Sequence, residues 1–427
     1  MNGHRLRARM VVMLATILTV VGLQTSLPAS AVDVPDQVLA WNQHAYDELF
    51  SAAPPLNAPP VAMMHLAIVH GAIYDAVNAI DHGYEPYLED APIGEGTESI
   101  EAAAAAAAYA VLLDVLPDTR DTALAGYYAA SLSAIPDGQA EVDGIAVGEA
   151  AAAAMLEARD GDGRFGNPSF TLATTPQPGD WLPFAASTAG NNLRWVGDVT
   201  PFLIPSAAQF RSNGPKALSS ATYAAEFDQV KALGRATDST RTPDQTAQAR
   251  FWSDNTTAMW TRIFRQLSDG QDLSTVENAR YFAMLYLTSS DAGISCFASK
   301  EHWGFWRPQQ AIQQAESDGN PATVADPAWT SLLQNPPYPD EPSGHNCLSS
   351  SIVQTLRDFY GTNRMSFTAT HSTLGISRSF NSFSEAIGEI RWARVYSGIH
   401  FMTADAHGAR LGREVADYRQ EHYFQPA

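Results

Sequence analysis

The stretch that decides the fold is PSGHNCLSSSIVQTLRDFY, residues 342–360. Proline and glycine set a tight entry, and an apolar run with helical spacing follows. The helix should therefore begin at or near His345, where its first amides, the Ser343 hydroxyl and the histidine ring point at one spot. Because free N–H groups and the helix dipole favour negative charge, we expect an anion to bind there. An N-capped helix with a nearby histidine gives the same pattern, so this interpretation needs partners elsewhere in the chain.

The first 31 residues have the pattern of an export signal. Three arginines precede an apolar run from Met10 to Leu23, and Ala29–Ala31 forms a small-x-small cleavage site. The apolar run is short for a membrane span, and small polar residues follow it. We therefore expect cleavage after Ala31 and a secreted protein without membrane anchoring.

The chain is strongly acidic. Its 26 Lys and Arg residues against 46 Asp and Glu residues give a formal net charge of −20. Phosphate backbones and anionic membrane surfaces repel such a chain, so we do not expect nucleic acid as a partner. Any convergence of cationic side chains is more informative here, because cations are the minority.

Helical periodicity dominates the sequence and predicts an all-α fold. Residues 32–215 are predicted as an antiparallel helical array followed by a capping loop, which we place at residues 160–215 from its Gly and Pro content. Residues 216–427 are predicted as a second helical domain that carries the anion site, with single helices from Gln245 to Leu267 and from Leu273 to Lys300. We expect two helical-bundle layers with long irregular connecting loops.

Two cations that could face the anion lie upstream of the motif. Lys300 and Arg307 are seven residues apart, so on a helix their side chains would point in directions that differ by about 20° around the helix axis. Two cations on one stripe among aromatic residues are costly to bury unless an anion neutralises them. A surface lysine and an arginine paired with Glu301 or Glu341 is the alternative.

A second set of candidate partners lies downstream, between Arg394 and His400. A helix predicted to begin at Ser379 delivers the arginine, a Ser-Gly pair breaks that helix, and the histidine lies on the exit loop. Asp405 follows and is a candidate to orient the histidine ring. A helix-ending arginine and a structural histidine with satisfied hydrogen bonds is the alternative.

Three segments match one known pattern in order and spacing: Lys300-x6-Arg307-Pro308, Pro342-Ser343-Gly344-His345 and Arg394-x5-His400. With these motifs, the chain resembles the vanadium-dependent haloperoxidase and type 2 phosphatidic acid phosphatase superfamily, and in particular its secreted bacterial haloperoxidase-like branch. The pattern covers about the last third of the chain. It departs from the superfamily at Ala393, where the pattern has serine, and at Asp405, which follows His400 by five positions instead of four.

The resemblance implies a pocket for a tetrahedral oxyanion. The groups that would hold the oxyanion are Lys300, Arg307, Ser343, Gly344, Arg394 and His400. With vanadate as the cofactor, His400 would be the vanadium ligand and His345 the general acid or base at the opposite oxygen. Lys300 would polarise the peroxide, and a halide would be oxidised to hypohalous acid.

A secreted acid phosphatase is the main alternative within this superfamily. His400 would then attack a phosphomonoester and form a phosphohistidine, while His345 protonates the leaving alcohol. Chain length, the large helical N-terminal half and the soluble character favour the haloperoxidase, whose partners would be hydrogen peroxide, a halide and a small organic acceptor. A homodimer is a candidate assembly. A binding protein with a degenerate site is a third class, which the intact cations and histidines disfavour.

Flanking residues are candidates for supporting roles. Tyr338 precedes the Pro-Ser-Gly-His motif at a position where similar haloperoxidases carry an aromatic residue or histidine beside the halide. Phe297, about one turn before the lysine, is a second candidate wall of a halide pocket. Asp254 and Asp291 are candidate countercharges for the clustered arginines, and positions on a helix surface or cap are the alternative.

The chain has two cysteines, Cys296 and Cys347. The first lies about one helical turn before Lys300 and the second lies two residues after His345, so a shared pocket would bring the thiols together. Because an exported chain permits disulfides, we expect a bridge between the two helices. Two buried free thiols are the alternative.

Overall fold

The computed structural model describes residues 34–184 and 193–427. The predicted signal peptide, with its cleavage after Ala31, lies outside the described residues. From Val34 onward the described chain forms one compact unit. The division near residue 215 into two domains stays a prediction.

Five helices make up the N-terminal part of the described chain. They are α1 (Gln37–Ser51), α2 (Pro59–Asp81), α3 (Ile100–Val115), α4 (Asp121–Ala134) and α5 (Gln139–Ala158). Side-chain caps set two of the starts, because the Asp36 carboxylate accepts from the Leu39 amide at 2.9 Å and the Ser99 hydroxyl accepts from the Ala102 amide at 3.1 Å.

Small residues let two of these helices approach closely. The alanine run Ala102–Ala108 of α3 is buried throughout, and α3 packs against α2 and α5. On α5, a Cβ added at Gly148 would lie 2.3 Å from the Ala103 carbonyl oxygen. Alanine has the highest helix propensity and adds little bulk, so the run gives both a stable helix and a short interhelix distance.

Eight further helices complete the described part of the chain. They are α6 (Ala221–Leu233), α7 (Pro243–Phe251), α8 (Thr256–Gln271), α9 (Thr275–Trp303), α10 (Pro308–Gln313), α11 (Gly344–Tyr360), α12 (Phe383–Tyr396) and α13 (Met402–His422). The all-α prediction is confirmed: beside these helices the described residues contain one two-stranded sheet, formed by β1 (Phe367–Thr370) and β2 (Ser377–Phe380).

Two predicted helices differ in the structure. The segment from Gln245 to Leu267 is divided into α7 and α8, because the Asn255 side chain accepts from the Ala258 amide at 3.1 Å and starts a new helix. The helix predicted from Ser379 begins only at Phe383, since the preceding residues pair with β1.

The long helix α9 lies at the centre of the fold. It packs against α2, α11 and α13, and nearly all of its residues are buried. Its start is fixed by a capping box between Ser274 and Glu277, and it ends at Gly304, whose φ of 50° favours glycine. Its partner α2 is long and apolar enough to cross a membrane by length and composition, and the most apolar part of α2 is wholly buried inside the fold.

The described parts of the predicted capping loop are anchored to α9. The buried Asp291 carboxylate accepts from the amides of Phe202, Leu203 and Ile204 at 2.6, 2.7 and 2.9 Å. A second attachment lies at the end of α9, where the Trp181 amide donates to the Gly304 carbonyl at 2.7 Å. The loop is thereby held against the helix that carries Lys300.

Candidate active site

The predicted segments meet at one buried site, where one end each of α9, α10, α11 and α12 lies. Five groups from these segments are at most 6% exposed: Lys300, Arg307, Ser343, Arg394 and His400. Lys300 is in the last turn of α9, Arg307 directly precedes α10, and His400 lies in the short loop between α12 and α13. His345, in the first turn of α11, is only partly buried.

Arg307 connects the first segment to the histidine loop. Its Nε donates to the Tyr338 carbonyl at 2.9 Å, and its Nη1 donates to the Ile399 carbonyl at 2.7 Å. The same Nη1 lies 3.2 Å from Nε2 of His400. Since a guanidinium only donates hydrogen bonds, this ring nitrogen acts as an acceptor and carries a lone pair.

The carboxylate next to His400 is Asp340 and not Asp405, which corrects the expected orienter. Nδ1 of His400 lies 2.7 Å from Oδ1 of Asp340, and both side chains are buried. With a lone pair on Nε2, the ring proton is on Nδ1 and is donated to Asp340. Burial raises the pKa of this carboxyl, while the Arg307 and Lys300 cations lower it.

Lys300 is held by the loop that precedes the Pro-Ser-Gly-His motif. Its ammonium donates to the carbonyls of Pro339, Asp340 and Pro342 at 2.8, 3.0 and 2.5 Å. An ammonium has three N–H donors, so all of them are used. Lys300 therefore places positive charge at the site and fixes the backbone that leads to Ser343.

Burial lowers the pKa values of the cationic groups, but these groups remain charged at neutral pH. It lowers the pKa of Lys300 to about 8, with Cys296 opposing the shift and Arg307 adding to it. It also lowers the pKa of Arg394 to about 10. Three buried positive charges in one place favour an anionic ligand.

The first turn of α11 supplies uncharged donors. Ser343 is the N-cap residue but its side chain does not cap the helix, and its hydroxyl accepts from Asn346 Nδ2 at 3.3 Å. That amide also donates to Asp405 at 2.7 Å, so Asp405 supports this turn instead of His400. Burial raises the pKa of Asp405 to about 8. The leading amides of a helix have no intrahelical acceptor and remain available to a ligand.

Arg394 and His345 face the site from the other side. Arg394 donates from Nη1 to the Trp252 carbonyl at 2.8 Å, whereas its buried Nε has no hydrogen-bond partner within the described residues. The His345 ring lies 2.9 and 3.1 Å from the Thr256 hydroxyl through Nε2 and Nδ1. Burial and the nearby Arg394 charge lower the pKa of His345 well below its usual range.

The two predicted halide-pocket residues lie together beside the cations. The Tyr338 and Phe297 ring centroids are 5.3 Å apart. The Tyr338 ring also lies 5.2 Å from Nζ of Lys300 and 5.2 Å from Cζ of Arg307. The structure thus brings an aromatic wall to the site, and its role in binding halide stays a prediction.

The two candidate countercharges lie elsewhere, which corrects that expectation. Asp254 pairs with Arg262 at 2.9 Å and accepts from the Ser372 hydroxyl at 2.6 Å. Asp291 is committed to the three loop amides described above. Neither contacts the arginines of the site, because each satisfies local backbone or side-chain donors.

The predicted disulfide is also corrected. Cys296 and Cys347 are buried free thiols that hydrogen-bond to each other within a small apolar cluster. Cys296 Sγ also lies 3.7 Å from the Pro342 carbonyl. The prediction that the two helices bring the cysteines together is correct, but the contact is between two S–H groups.

Sequence reasoning missed two residues of the site, Asp340 and Thr256. Asp340 lies in a Pro-rich loop without periodicity, three residues before the serine of the motif, and that short distance was its only signal. Thr256 begins α8 at a break that helical spacing did not reveal, so its proximity to His345 came from tertiary structure alone.

The donor set fits vanadate or another tetrahedral oxyanion. The described residues contain no group of three or more His, Cys, Asp or Glu side chains that could hold a metal ion. The Nε2 lone pair of His400 is one electron donor, and the unpaired Arg394 Nε and the first amides of α11 are proton donors. An oxyanion that accepts one histidine ligand needs this combination.

Comparisons with known proteins agree with this geometry. Residues 280–426 match the family model of the VCPO second helical-bundle domain. A vanadium chloroperoxidase from Curvularia inaequalis is 30% identical over 199 residues, which are 39% of this chain and 32% of the relative. The match thus spans about a third of the length of that curated relative.

Two bacterial crystal structures show the same fold over nearly their whole length. A vanadium-dependent iodoperoxidase superposes with a TM-score of 0.77 at 23% identity, covering 93% of this chain and 99% of that chain. An apo-type vanadium-dependent chloroperoxidase gives a TM-score of 0.71 at 16% identity, covering 89% and 97%. Residues 280–426 therefore match a VCPO second helical-bundle domain, and the chain shares the fold of these two bacterial structures.

Proposed function

We propose that this protein is a vanadate-dependent haloperoxidase, which oxidises a halide with hydrogen peroxide to hypohalous acid. The observation that carries the proposal is the pair of contacts at His400, whose Nε2 lone pair lies among buried cations while Nδ1 is held by Asp340. Vanadate, when bound, would supply the activation of hydrogen peroxide toward the halide. The named relatives, a chloroperoxidase and an iodoperoxidase, support this choice.

The chain's own cations would bind and neutralise the oxyanion. Arg394 Nε is the unpaired donor, and the Ser343 hydroxyl and the Gly344 amide at the start of α11 add hydrogen bonds. Lys300 and Arg307 act mainly through their field, because the Lys300 donors and most of the Arg307 donors are engaged with backbone carbonyls. Among buried groups, where the effective dielectric constant is low, such fields are strong.

His345 would move the proton on the solvent side of the site. Its lowered pKa keeps the imidazole neutral at neutral pH, so that it can accept a proton from an approaching hydrogen peroxide molecule. The Thr256 hydroxyl contacts the ring and restricts its orientation. Because His345 is only partly buried, it can exchange protons with solvent.

The aromatic pair would form the halide side of the site. Tyr338 lies against Phe297 and beside two cations, an environment that suits a large, weakly hydrated anion. Tyr338 is partly exposed, which gives a path from solvent. A small organic acceptor would then react with the hypohalous acid.

Purified protein incubated with vanadate, hydrogen peroxide and bromide should halogenate an acceptor dye. A generic phosphomonoester is assayed beside it, and His400→Ala serves as the inactive control for both reactions. Halogenation that requires vanadate and His400 supports the proposal. Phosphomonoester hydrolysis without halogenation would replace it with the phosphatase, and the absence of both activities would favour a binding protein.

Export and assembly are part of the same proposal. N-terminal sequencing of the protein recovered from culture medium should give a chain that begins after Ala31. Light scattering of the purified protein tests the homodimer. Retention of the leader sequence in cell-associated protein would contradict export.

A further inference from the structure

A buried carboxylate contacts the ring nitrogen of His400 that faces away from the cations. From this contact we infer that Asp340 is a positioning residue, which holds His400 in its Nδ1–H tautomer and so keeps the lone pair on Nε2, where the oxyanion would bind. The inference rests on the proposed use of His400 as the oxyanion ligand. It assigns Asp340 the role that the sequence pattern suggested for Asp405.

Two contacts on opposite ring nitrogens determine the tautomer. Nδ1 lies 2.7 Å from the Asp340 carboxylate, and Nε2 lies 3.2 Å from a guanidinium nitrogen of Arg307. The other tautomer would place an N–H at Nε2 directly against an N–H of Arg307. That arrangement loses a hydrogen bond and opposes two donors in a buried site, which is costly.

Asp340 is itself held in place by two backbone hydrogen bonds and by burial. Its amide donates to the Phe305 carbonyl at 2.9 Å, and its own carbonyl accepts from Lys300 Nζ at 3.0 Å. Its side chain is about 1% exposed. With backbone and side chain both fixed, the carboxylate restrains the ring in direction as well as in protonation.

The other buried carboxylates nearby are engaged with different groups. Asp405 accepts from Asn346 at 2.7 Å. Glu341 accepts from the Ser212 hydroxyl and from the His407 ring, both at 2.7 Å. Asp340 is therefore the carboxylate whose loss should change His400 directly.

A carboxylate on the remote nitrogen of a histidine ligand raises the basicity of the ligating nitrogen and fixes its orientation. Loss of such a partner typically lowers ligand affinity or activity about 10- to 100-fold. We therefore expect Asp340→Ala to reduce the affinity for vanadate and for inorganic phosphate by about this factor. Asp340→Asn, whose side-chain oxygen can still accept from Nδ1, should retain more affinity than the alanine variant.

The first experiment observes the tautomer without any anion or turnover. In protein labelled with ¹⁵N-histidine, long-range ¹H–¹⁵N correlation spectra should show His400 with its proton on Nδ1, assigned by its loss in His400→Gln. Asp340→Ala should raise the fraction of the Nε2–H ring, because only the Arg307 contact then opposes that tautomer. An Nε2–H ring in the wild-type protein overturns the inference, whether or not any variant folds.

The second experiment titrates vanadate and, separately, inorganic phosphate into wild type, Asp340→Ala and Asp340→Asn. Asp358→Asn is the control, since it removes a carboxylate that pairs with Arg419 at 2.8 Å. It lies 14 residues beyond the start of α11, about 21 Å along the helix. Affinity in this control should equal that of wild type.

The outcomes separate the inference from the proposed function. If wild type does not halogenate but the tautomer and the anion affinity respond to Asp340, the haloperoxidase proposal fails and the inference stands. If wild type halogenates and Asp340→Ala keeps both the Nδ1–H ring and the wild-type affinity, the inference fails alone.

Discussion

Replacing Gly408 with alanine should displace the first turn of α11 and weaken anion binding. Gly408 lies on α13 where this helix crosses α11, and a Cβ at this position would lie 2.5 Å from the Ser343 carbonyl oxygen and 3.2 Å from the Cys347 amide nitrogen. Real Cβ contacts are essentially never below 3.0 Å, so the carbonyl must move by about 0.5 Å, from 2.5 to at least 3.0 Å.

The magnitude follows from two opposing effects. Overpacking of a tight contact lowers the free energy of unfolding by about 1–3 kcal/mol. Replacing a glycine in a helix interior with alanine raises it by about 0.5–1 kcal/mol. The Ser343 carbonyl accepts the first backbone hydrogen bond of α11, from the Cys347 amide at 3.0 Å, so the whole turn moves with it. Since a 1 Å misplacement can cost about 100-fold, we expect roughly a tenfold loss of affinity for half that shift.

The assay combines urea unfolding with phosphate and vanadate titration. The matched control is Gly388→Ala in the interior of α12, where an added Cβ meets nothing within 4 Å. In this control the free energy of unfolding should rise by about 0.5–1 kcal/mol, and the affinity for phosphate and vanadate should equal that of wild type. Wild-type stability and affinity in Gly408→Ala, or equal effects in both variants, would refute the packing argument.

Three further predictions concern other parts of the fold. Asp291→Asn should lower the free energy of unfolding by about 1–3 kcal/mol and speed proteolytic cleavage in residues 160–215, because its side-chain amide replaces a carboxylate oxygen that accepts from loop N–H groups. An unchanged cleavage rate would contradict the role of Asp291 as an anchor. Burial lowers the pKa of His65 to about 4. In the unfolded chain this histidine has a pKa of about 6.5, so the unfolded chain binds the proton first as the pH falls. About 3 kcal/mol of the free energy of unfolding should therefore be lost by pH 4. His65→Gln should flatten this dependence in denaturation curves, and an equally steep curve would disprove it. Thr256→Val should lower turnover about tenfold without changing anion affinity, because it frees the His345 ring; equal turnover would argue against this contact.

The helices were predictable because their periodicity is local. Two helix boundaries were missed: a local N-cap at Asn255 starts a new helix within the Gln245–Leu267 segment, and Ser377–Phe380 pairs with another strand before α12 begins. The Asn255 cap is a local signal within a polar stretch, whereas the pairing of Ser377–Phe380 with β1 depends on a partner strand that helical spacing does not reveal.

The cationic groups of the site were predictable because motif spacing is enough to find them. The carboxylates were not, because their choice of partner depends on distances between loops. Asp405 had the better sequence position relative to His400, yet Asp340 reaches the ring through a Pro-rich loop that Lys300 holds. Likewise the cysteines meet as predicted, but proximity alone did not determine their covalent state.

The Lys300 ammonium has consequences for when the proposed oxyanion can bind. Its three N–H donors already end on the carbonyls of Pro339, Asp340 and Pro342, so this buried charge has its hydrogen bonds without a ligand. The polypeptide can therefore complete its folding first and accept the oxyanion afterwards, as a separate and reversible event. Oxyanion concentration then sets occupancy by mass action, and the order of maturation is folding before loading.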